Sequence, residues 1–322
     1  MSVEVVKPGM LTTLQDGGRS GLAHLGIGRS GAFDAPALRI ANALCGNPGD
    51  ACALELTLLG PTLQFRTAAR IAVAGAPIPV RIDGREAPQW APLRVPAGAR
   101  VSLGTMPRGC RSYLAVRGGF DVEAVLGSRS TDLHAALGPI AGRALRAGDR
   151  LAIAPDDAPV SMRATSGWWL DARPWFVDDA ERPLHLLPAG HQDGLTAASR
   201  RALFESTFTV QADSNRTGLR LLGPPLAWEA PFEMISEGCV PGLLQLPPSG
   251  QPIVFGVECP VSGGYPRIGQ VAAVDLPRLA QLRPGAVLRF EPCTLAAAWR
   301  ALRKRERALA ELETLVASRL SA

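Results

Sequence analysis

Five turn-rich segments of this 322-residue chain crowd arginine, acid and hydroxyl side chains between glycines. The first is Thr12-Thr-Leu-Gln-Asp16-Gly-Gly-Arg19, and the second joins Arg117-Gly-Gly-Phe to Gly127-Ser128-Arg129-Ser-Thr-Asp132. The third is Asp213-Ser-Asn-Arg216-Thr-Gly-Leu-Arg220. The fourth runs from Ser236-Glu237 through Gln245 to Ser249-Gly-Gln-Pro252, and the fifth is Glu258-Cys-Pro-Val-Ser262-Gly-Gly-Tyr265-Pro266. Guanidinium forks suit carboxylates, acid side chains can move protons, and glycine lets backbone N–H groups come close to a ligand. Taken singly, each residue type also serves turn geometry. Five such segments in one chain point to a site for a small polar molecule on a rigid scaffold.

Other chemistries lack their residues. Gly26-Ile-Gly-Arg-Ser-Gly31 matches G-x-G-x-x-G ahead of a helix. The stretch from Gln15 to Leu25 before it is too polar and glycine-rich for the buried strand of a dinucleotide fold. An anion at the helix start, near Ser30 and Asp34, stays open. There is no G-x-x-x-x-G-K-[ST] loop for a Walker-type ATP site and no G-x-S-x-G elbow. His24, His134, His185 and His191 stand far apart, with His24 beside the glycine-rich loop, and neither build nor exclude a triad. Six cysteines scatter without a C-x-x-C pair, so no zinc site is encoded and free thiols in a reducing cytoplasm are expected.

The elements that must position these side chains read as short strands. Turn signals followed by period-two alternation mark Gly60–Phe65, Ala97–Gly104, Ala147–Ala154 and Pro284–Phe290. Apolar strands read at Arg70–Ala74, Ser112–Arg117 and Leu184–Leu187. Asp34 caps a helix over Ala35–Leu44, with Pro36 in its first turn and Gly46-Asn47-Pro48 ending it. A short helix is expected over Asp275–Leu282. Thr294 caps a C-terminal helix with Trp299, Leu302, Leu309, Leu312, Val316 and Leu320 at helical spacing, read as a surface helix over a barrel end or a docking arm. The strand pattern breaks between Pro155 and Arg182, where Trp168, Trp169 and Trp175 lie, and a boundary is placed there. The expected organisation is a β domain over 1–180, a second over 181–293 and a helical tail over 294–322.

The net charge of +5 is almost all arginine, since lysine occurs only at positions 7 and 304. The dense run Arg300, Arg303, Lys304, Arg305 and Arg307 is interleaved with Glu306, Glu311 and Glu313 and fits a solvated helix face, so no nucleic-acid binding is expected. No apolar run reaches the ~20 residues of a membrane helix, and the first residues lack signal-peptide features, so a cytoplasmic protein with no membrane contact is expected.

The run Pro8-Gly-Met-Leu-Thr-Thr-Leu-Gln-Asp-Gly-Gly-Arg19, then Ser30-Gly-Ala-Phe-Asp34, resembles the allophanate hydrolase subunit 2 family. Its members are also called biotin-dependent carboxyltransferase-like proteins, KipA-like proteins or C subunits of 5-oxoprolinase. The likeness continues through Arg117-Gly-Gly, Leu126-Gly-Ser-Arg-Ser-Thr-Asp132, Arg216-x-Gly-x-Arg-Leu221, Ser236-Glu237-Gly238, Gln245-x-Pro and Gly263-Gly-Tyr-Pro266. It implies a mainly β fold of two cyclophilin-like barrels with few short helices and a C-terminal helix. It also implies two partners, a KipI-like protein as the B subunit of the complex, together with a third protein like its A subunit. The implied activity is ATP-dependent opening of 5-oxoproline to glutamate, with ATP used by the complex and no cofactor assigned to this chain. Alternatives are carboxyl transfer to a urea-like amide and a regulatory module antagonising a KipI-like kinase inhibitor. Where family members often carry Asp and then Thr-Thr-Gly-Gly-Tyr, this chain has Glu258-Cys-Pro-Val-Ser262-Gly-Gly-Tyr265. Thr217 also replaces the usual Met-like residue after Arg216. On this reading Arg216 or Arg220 holds the substrate carboxylate and Glu237 or Glu258 moves the proton. Asp16, Arg19, Ser30, Asp34, Arg117, Ser128, Arg129, Gln245, Ser262 and Tyr265 complete the candidate binding set.

Overall fold

A computed structural model describes residues 1–155, 167–176, 182–230 and 234–321. The chain falls into two compact units. Unit 1 comprises Met1–Arg19, Ser30–Val177 and Ala308–Ala322, and unit 2 comprises Ser20–Arg29 and Asp178–Arg307. The expected boundary near 180 lies outside the described residues.

Unit 1 holds β1 (Ser2–Lys7), β2 (Leu11–Gln15), β3 (Ala53–Thr57), β4 (Thr62–Phe65), β5 (Ala69–Gly75) and β6 (Val80–Ile82). It continues with β7 (Arg85–Ala87), β8 (Leu93–Val95), β9 (Arg100–Leu103), β10 (Arg111–Val116) and β11 (Arg150–Ala152). They form a six-stranded sheet, β11-β1-β4-β9-β6-β7, and a five-stranded sheet, β2-β3-β10-β5-β8. Alternation buries Val3 and Val5 of β1, Leu63 and Phe65 of β4, and Val101 and Leu103 of β9. Strands β5 and β10 are buried on both faces, because the helix Ala35–Cys45 lies against them. Nine of its eleven residues are buried. Asp34 caps it as the sequence predicts, accepting from the Ala37 N–H at 3.1 Å, and Gly46 ends it in the left-handed region at φ 76°.

Unit 2 holds β12 (Leu184–Leu187), β13 (Phe208–Val210), β14 (Gly218–Leu222), β15 (Glu237–Gly238) and β16 (Leu243–Gln245). Next come β17 (Ile253–Phe255), β18 (Ser262–Gly263), β19 (Arg267–Val271), β20 (Val287–Leu288) and β21 (Phe290–Pro292). Eight of them form one sheet, β20-β13-β14-β17-β16-β19-β12-β21. Its two terminal strands are separated in sequence by Arg289 alone, so the chain steps from one end of the sheet to the other and nearly closes it. The sequence reads Pro284–Phe290 as one strand; the structure breaks it at Arg289, and that break brings the sheet edges together. The Phe208 and Phe290 rings, one near each end, meet at 5.8 Å between centroids.

The expected helices are present, and the described residues hold further helical segments. The short helix is Leu276–Gln281, preceded by a 3-10 turn at Ala273–Asp275. A helix at Ala197–Glu205 has no counterpart among the expected elements, although Thr196 caps it through its hydroxyl. The C-terminal helix Leu295–Ser321 starts at Thr294, whose hydroxyl accepts from the Ala297 N–H at 3.2 Å. Its second half belongs to the unit 1 core: Leu309 and Val316 are buried, with Leu312 and Leu320 packed beside them. Trp168 and Trp175 pack against the same core, while Trp169 is exposed. Leu309→Ala is expected to cost about 2–5 kcal/mol in urea unfolding. Leu315→Ala, further along the helix and facing solvent, should stay within about 0.5 kcal/mol. Equal effects would mean that the helix does not dock through Leu309.

Candidate functional site

In unit 1 the candidate residues gather around one carboxylate. Asp16 directly follows β2, and the segment from Val125 to Asp132 folds back over it. Its oxygens accept from the Ser128 hydroxyl at 2.6 Å, the Ser130 hydroxyl at 2.5 Å, the Arg129 N–H at 2.5 Å and the Gly18 N–H at 2.8 Å. Arg19, 2% exposed, donates from Nη2 to the Ser130 carbonyl at 2.5 Å. Beneath them the buried Gln15 amide donates to the Thr131 carbonyl at 3.0 Å. Asp16, Arg19, Ser128 and Arg129 therefore converge, and Ser130, which the candidate set omits, completes the cage. Arg129 turns its own guanidinium to the Val122 carbonyl.

The other unit 1 candidates have separate partners. The Ser30 hydroxyl donates to Asp132 at 2.9 Å, both residues being buried, and Asp132 accepts in turn from the His134 and Ala135 N–H groups. Asp34 is the helix cap. Arg117 lies at the other end of that helix, with Nη1 3.3 Å from the Cys45 carbonyl, where orphan carbonyls need a donor. A Cβ on Gly46 would come within 2.3 Å of that nitrogen, so Arg117 and Gly46 form one terminating device.

A second buried network in unit 1 has no counterpart in the expected set. Tyr113 and Glu55 are cross-strand partners on β10 and β3, and the phenol donates to Glu55 at 2.6 Å. The phenol accepts from the Asp34 N–H at 2.8 Å, and Glu55 accepts from the Phe33 N–H at 3.1 Å. Arg111 approaches Glu55 at 3.5 Å and lies over the Phe33 ring. Burial, with Glu55 and Asp34 nearby, pushes the Tyr113 hydroxyl well above its ordinary value, so it stays a neutral donor. An acid inside the apolar run Ala53-Leu-Glu-Leu is the signal that could have revealed it.

Unit 2 presents two arginine–acid pairs of different character. Arg216 donates from Nε to Glu258 at 2.6 Å, and both side chains are 3% exposed. The Glu258 N–H also meets the Arg216 carbonyl at 3.1 Å. The second pair, Glu237 with Arg267, is open: the side chains are 40% and 31% exposed. Glu237 lies on the small ladder of β15 with β18, where Glu237 faces Gly263 and Gly238 faces Ser262. Gln245, paired with Arg267 in the β16–β19 register, donates to the Tyr265 carbonyl at 3.0 Å. A Cβ on Gly263 would sit 2.8 Å from Gln245 Nε2 and 3.0 Å from Cys239 Sγ, so only glycine lets β18 lie this close. The Tyr265 side chain and Ser262 face solvent here. Burial pushes the Cys239 thiol up despite Arg267, which keeps it a thiol at neutral pH and a poor nucleophile. Arg220 stands elsewhere, on the exposed face of β14, 2.9 Å from Asp213.

The structure thus adds Arg267 and Cys239 to the unit 2 set. Arg267 follows Gly-Gly-Tyr-Pro directly, and that position is the available signal. Among the described residues no group of three or more His, Cys, Asp or Glu could hold a metal, and no helix is long and apolar enough to cross a membrane.

The Asp16 cage yields a signed expectation. Burial pushes its carboxyl up, but the Ser128 and Ser130 hydroxyls and the Arg129 and Gly18 N–H groups outweigh this and hold it below its ordinary range. A depressed native value means stability that is present above the unfolded aspartate range, about pH 4, and lost as pH falls through the native value. Asp16→Asn should flatten that acid limb and lower stability near neutral pH by about 1–3 kcal/mol. Urea midpoints across the acid range measure it, and an unchanged limb would show that the cage does not hold the loop.

Comparison with known proteins follows the same outline. The family described as "Carboxyltransferase domain, subdomain A and B" matches residues 25–292. The C subunit of 5-oxoprolinase from Escherichia coli strain K12 is 39% identical over 314 residues, covering 96% of this chain and 97% of that protein. Its Haemophilus influenzae namesake is 36% identical over 304 residues, covering 94% and 95%. The solved structure of K. lactis urea amidolyase gives a TM-score of 0.85 at 28% identity over 97% of this chain, which spans only 20% of that enzyme. Matched over most of its length, this chain belongs to the family of carboxyltransferase domains built from subdomains A and B.

Proposed function

We propose that this chain is the C subunit of an ATP-dependent 5-oxoprolinase, opening the lactam of 5-oxoproline to glutamate together with partner subunits. The observation that carries the reading is its end-to-end likeness to two 5-oxoprolinase C subunits, each of nearly the same extent. The lactam is a stable amide, so the complex spends ATP to activate its carbonyl oxygen. What side chains here can add is placement and charge.

The geometry favours particular roles. Glu258 is neutralised by Arg216 below the surface, whereas Glu237 is 40% exposed on the ladder that carries Ser262. We therefore give proton transfer to Glu237 and the substrate carboxylate to Arg267, whose side chain is 31% exposed and follows Tyr265-Pro266 in sequence. Arg216 and Glu258 act from beneath, holding the start of β14 to the residues after β17. Gln245 fixes the Tyr265 backbone, and Ser262 and Tyr265 offer donors to the carbonyl oxygen. A second reading, carboxyl transfer to a urea-like amide, draws support from the urea amidolyase likeness. It requires a biotinylated partner.

The test is an ATP-dependent 5-oxoproline assay on the assembled complex. Glu237→Gln should lower kcat by about 10²–10⁴-fold, while Arg267→Met should act mainly on KM. Turnover that avidin abolishes, or that ignores 5-oxoproline, would replace this reading with carboxyl transfer. Arg216→Ala should instead destabilise the fold by about 3–5 kcal/mol, because Glu258 would be left buried without its cation. A stable Arg216→Ala protein with only KM altered would return the carboxylate role to Arg216.

A further inference from the structure

The C-terminal helix carries a face that its own fold does not use. Trp299, Arg300, Arg303, Lys304 and Arg307 are all exposed, and Leu295 precedes them one turn earlier at 63% exposure. At 100° per residue these positions fall within one half of the helix circumference. The other half carries Ala298 and Leu309, both buried, and Arg305, which donates to the Val274 carbonyl at 2.6 Å. Among the described residues no acid comes within ion-pair distance of Arg300, Arg303, Lys304 or Arg307; Glu306 pairs with Arg305, and the exposed Glu311 stands one turn beyond Arg307 on the same half of the helix. Like charges one turn apart, as in Arg300 with Lys304 and Arg303 with Arg307, oppose the helix that bears them. Exposing Trp299 at 55% gives the fold nothing in return. A solvated helix face needs neither this excess of cations nor the exposed tryptophan. An aromatic anchor ringed by arginine is the make-up of a binding hot spot.

We propose that this face docks an acidic surface of a partner protein in the complex, with Trp299 entering an apolar recess and the four cations meeting carboxylates around it. Charge complementarity names the occupant: four cations within eight residues outnumber the two acids on that half, Glu306 and Glu311, and call for clustered acids. The proposal rests on the reading of the chain as one subunit of a complex, and its test separates the two.

Full-length chain and purified partner subunits are mixed, and affinity is measured by calorimetry at low and at moderate salt. The wild type should bind, and bind more weakly as salt rises. Arg300→Glu combined with Arg303→Glu and Arg307→Glu should weaken association by at least about tenfold, and Trp299→Ala by a similar factor at all salt concentrations. Neither change touches the core, so thermal melting should hold or rise slightly, which excludes misfolding as the cause. Wild-type affinity in both variants would overturn the face and leave the oxoprolinase reading intact. A salt-sensitive complex lost in both variants, yet without 5-oxoproline turnover in the wild type, would sustain the face and sink the activity. Failure of the wild type to assemble, or preference of the face for RNA or anionic vesicles, would also overturn it.

Discussion

A charged group taken out of water must be given partners, and most of this chain's special geometry answers that demand. Asp16 is the clearest case. One carboxylate draws two hydroxyls and two backbone N–H groups from segments more than a hundred residues apart. The order of the Val125–Asp132 loop follows from that, as does the burial of Arg19. Glycines and serines cluster there because a loop that must aim N–H and O–H groups at a point needs positive φ and short side chains.

The same demand separates the two arginine–acid pairs of unit 2. Inside the unit, Arg216 and Glu258 satisfy one another and tie two strand ends together. A buried pair of this kind adds little net stability, but losing half of it is severe. The Glu237 and Arg267 side chains are instead partly exposed, at 40% and 31%. Identical residue chemistry thus takes a supporting place in one setting and an open place in the other. Depth beneath the surface is the difference.

Closure of the second sheet shows how little sequence a large topological effect needs. One residue, Arg289, divides what would be a continuous strand, and its two halves pair with opposite ends of the sheet. A sheet brought this near to closure exposes little free edge, since only β20 and β21 lack a second neighbour. The C-terminal helix follows a different logic, with one half packed into a core and the other presenting cations and an indole to solvent.

Local signals were sufficient for the mainly β class, the Asp34 and Thr294 caps, Gly46 at a helix end and strands such as β4, β5, β10 and β12, because alternation and turn chemistry act over a few residues. The same holds for the polar loops as candidates. The helix at Ala197–Glu205 escapes such reading because its apolar stripe is only Leu203 deep, too short for periodicity to register. Only the folded chain decided that Arg117 terminates a helix, that Glu55 meets Tyr113, and that Arg216 is committed to Glu258 while Arg267 stays open. Pattern records which residues can pair; burial and the choice among distant partners arise when strands remote in sequence come together.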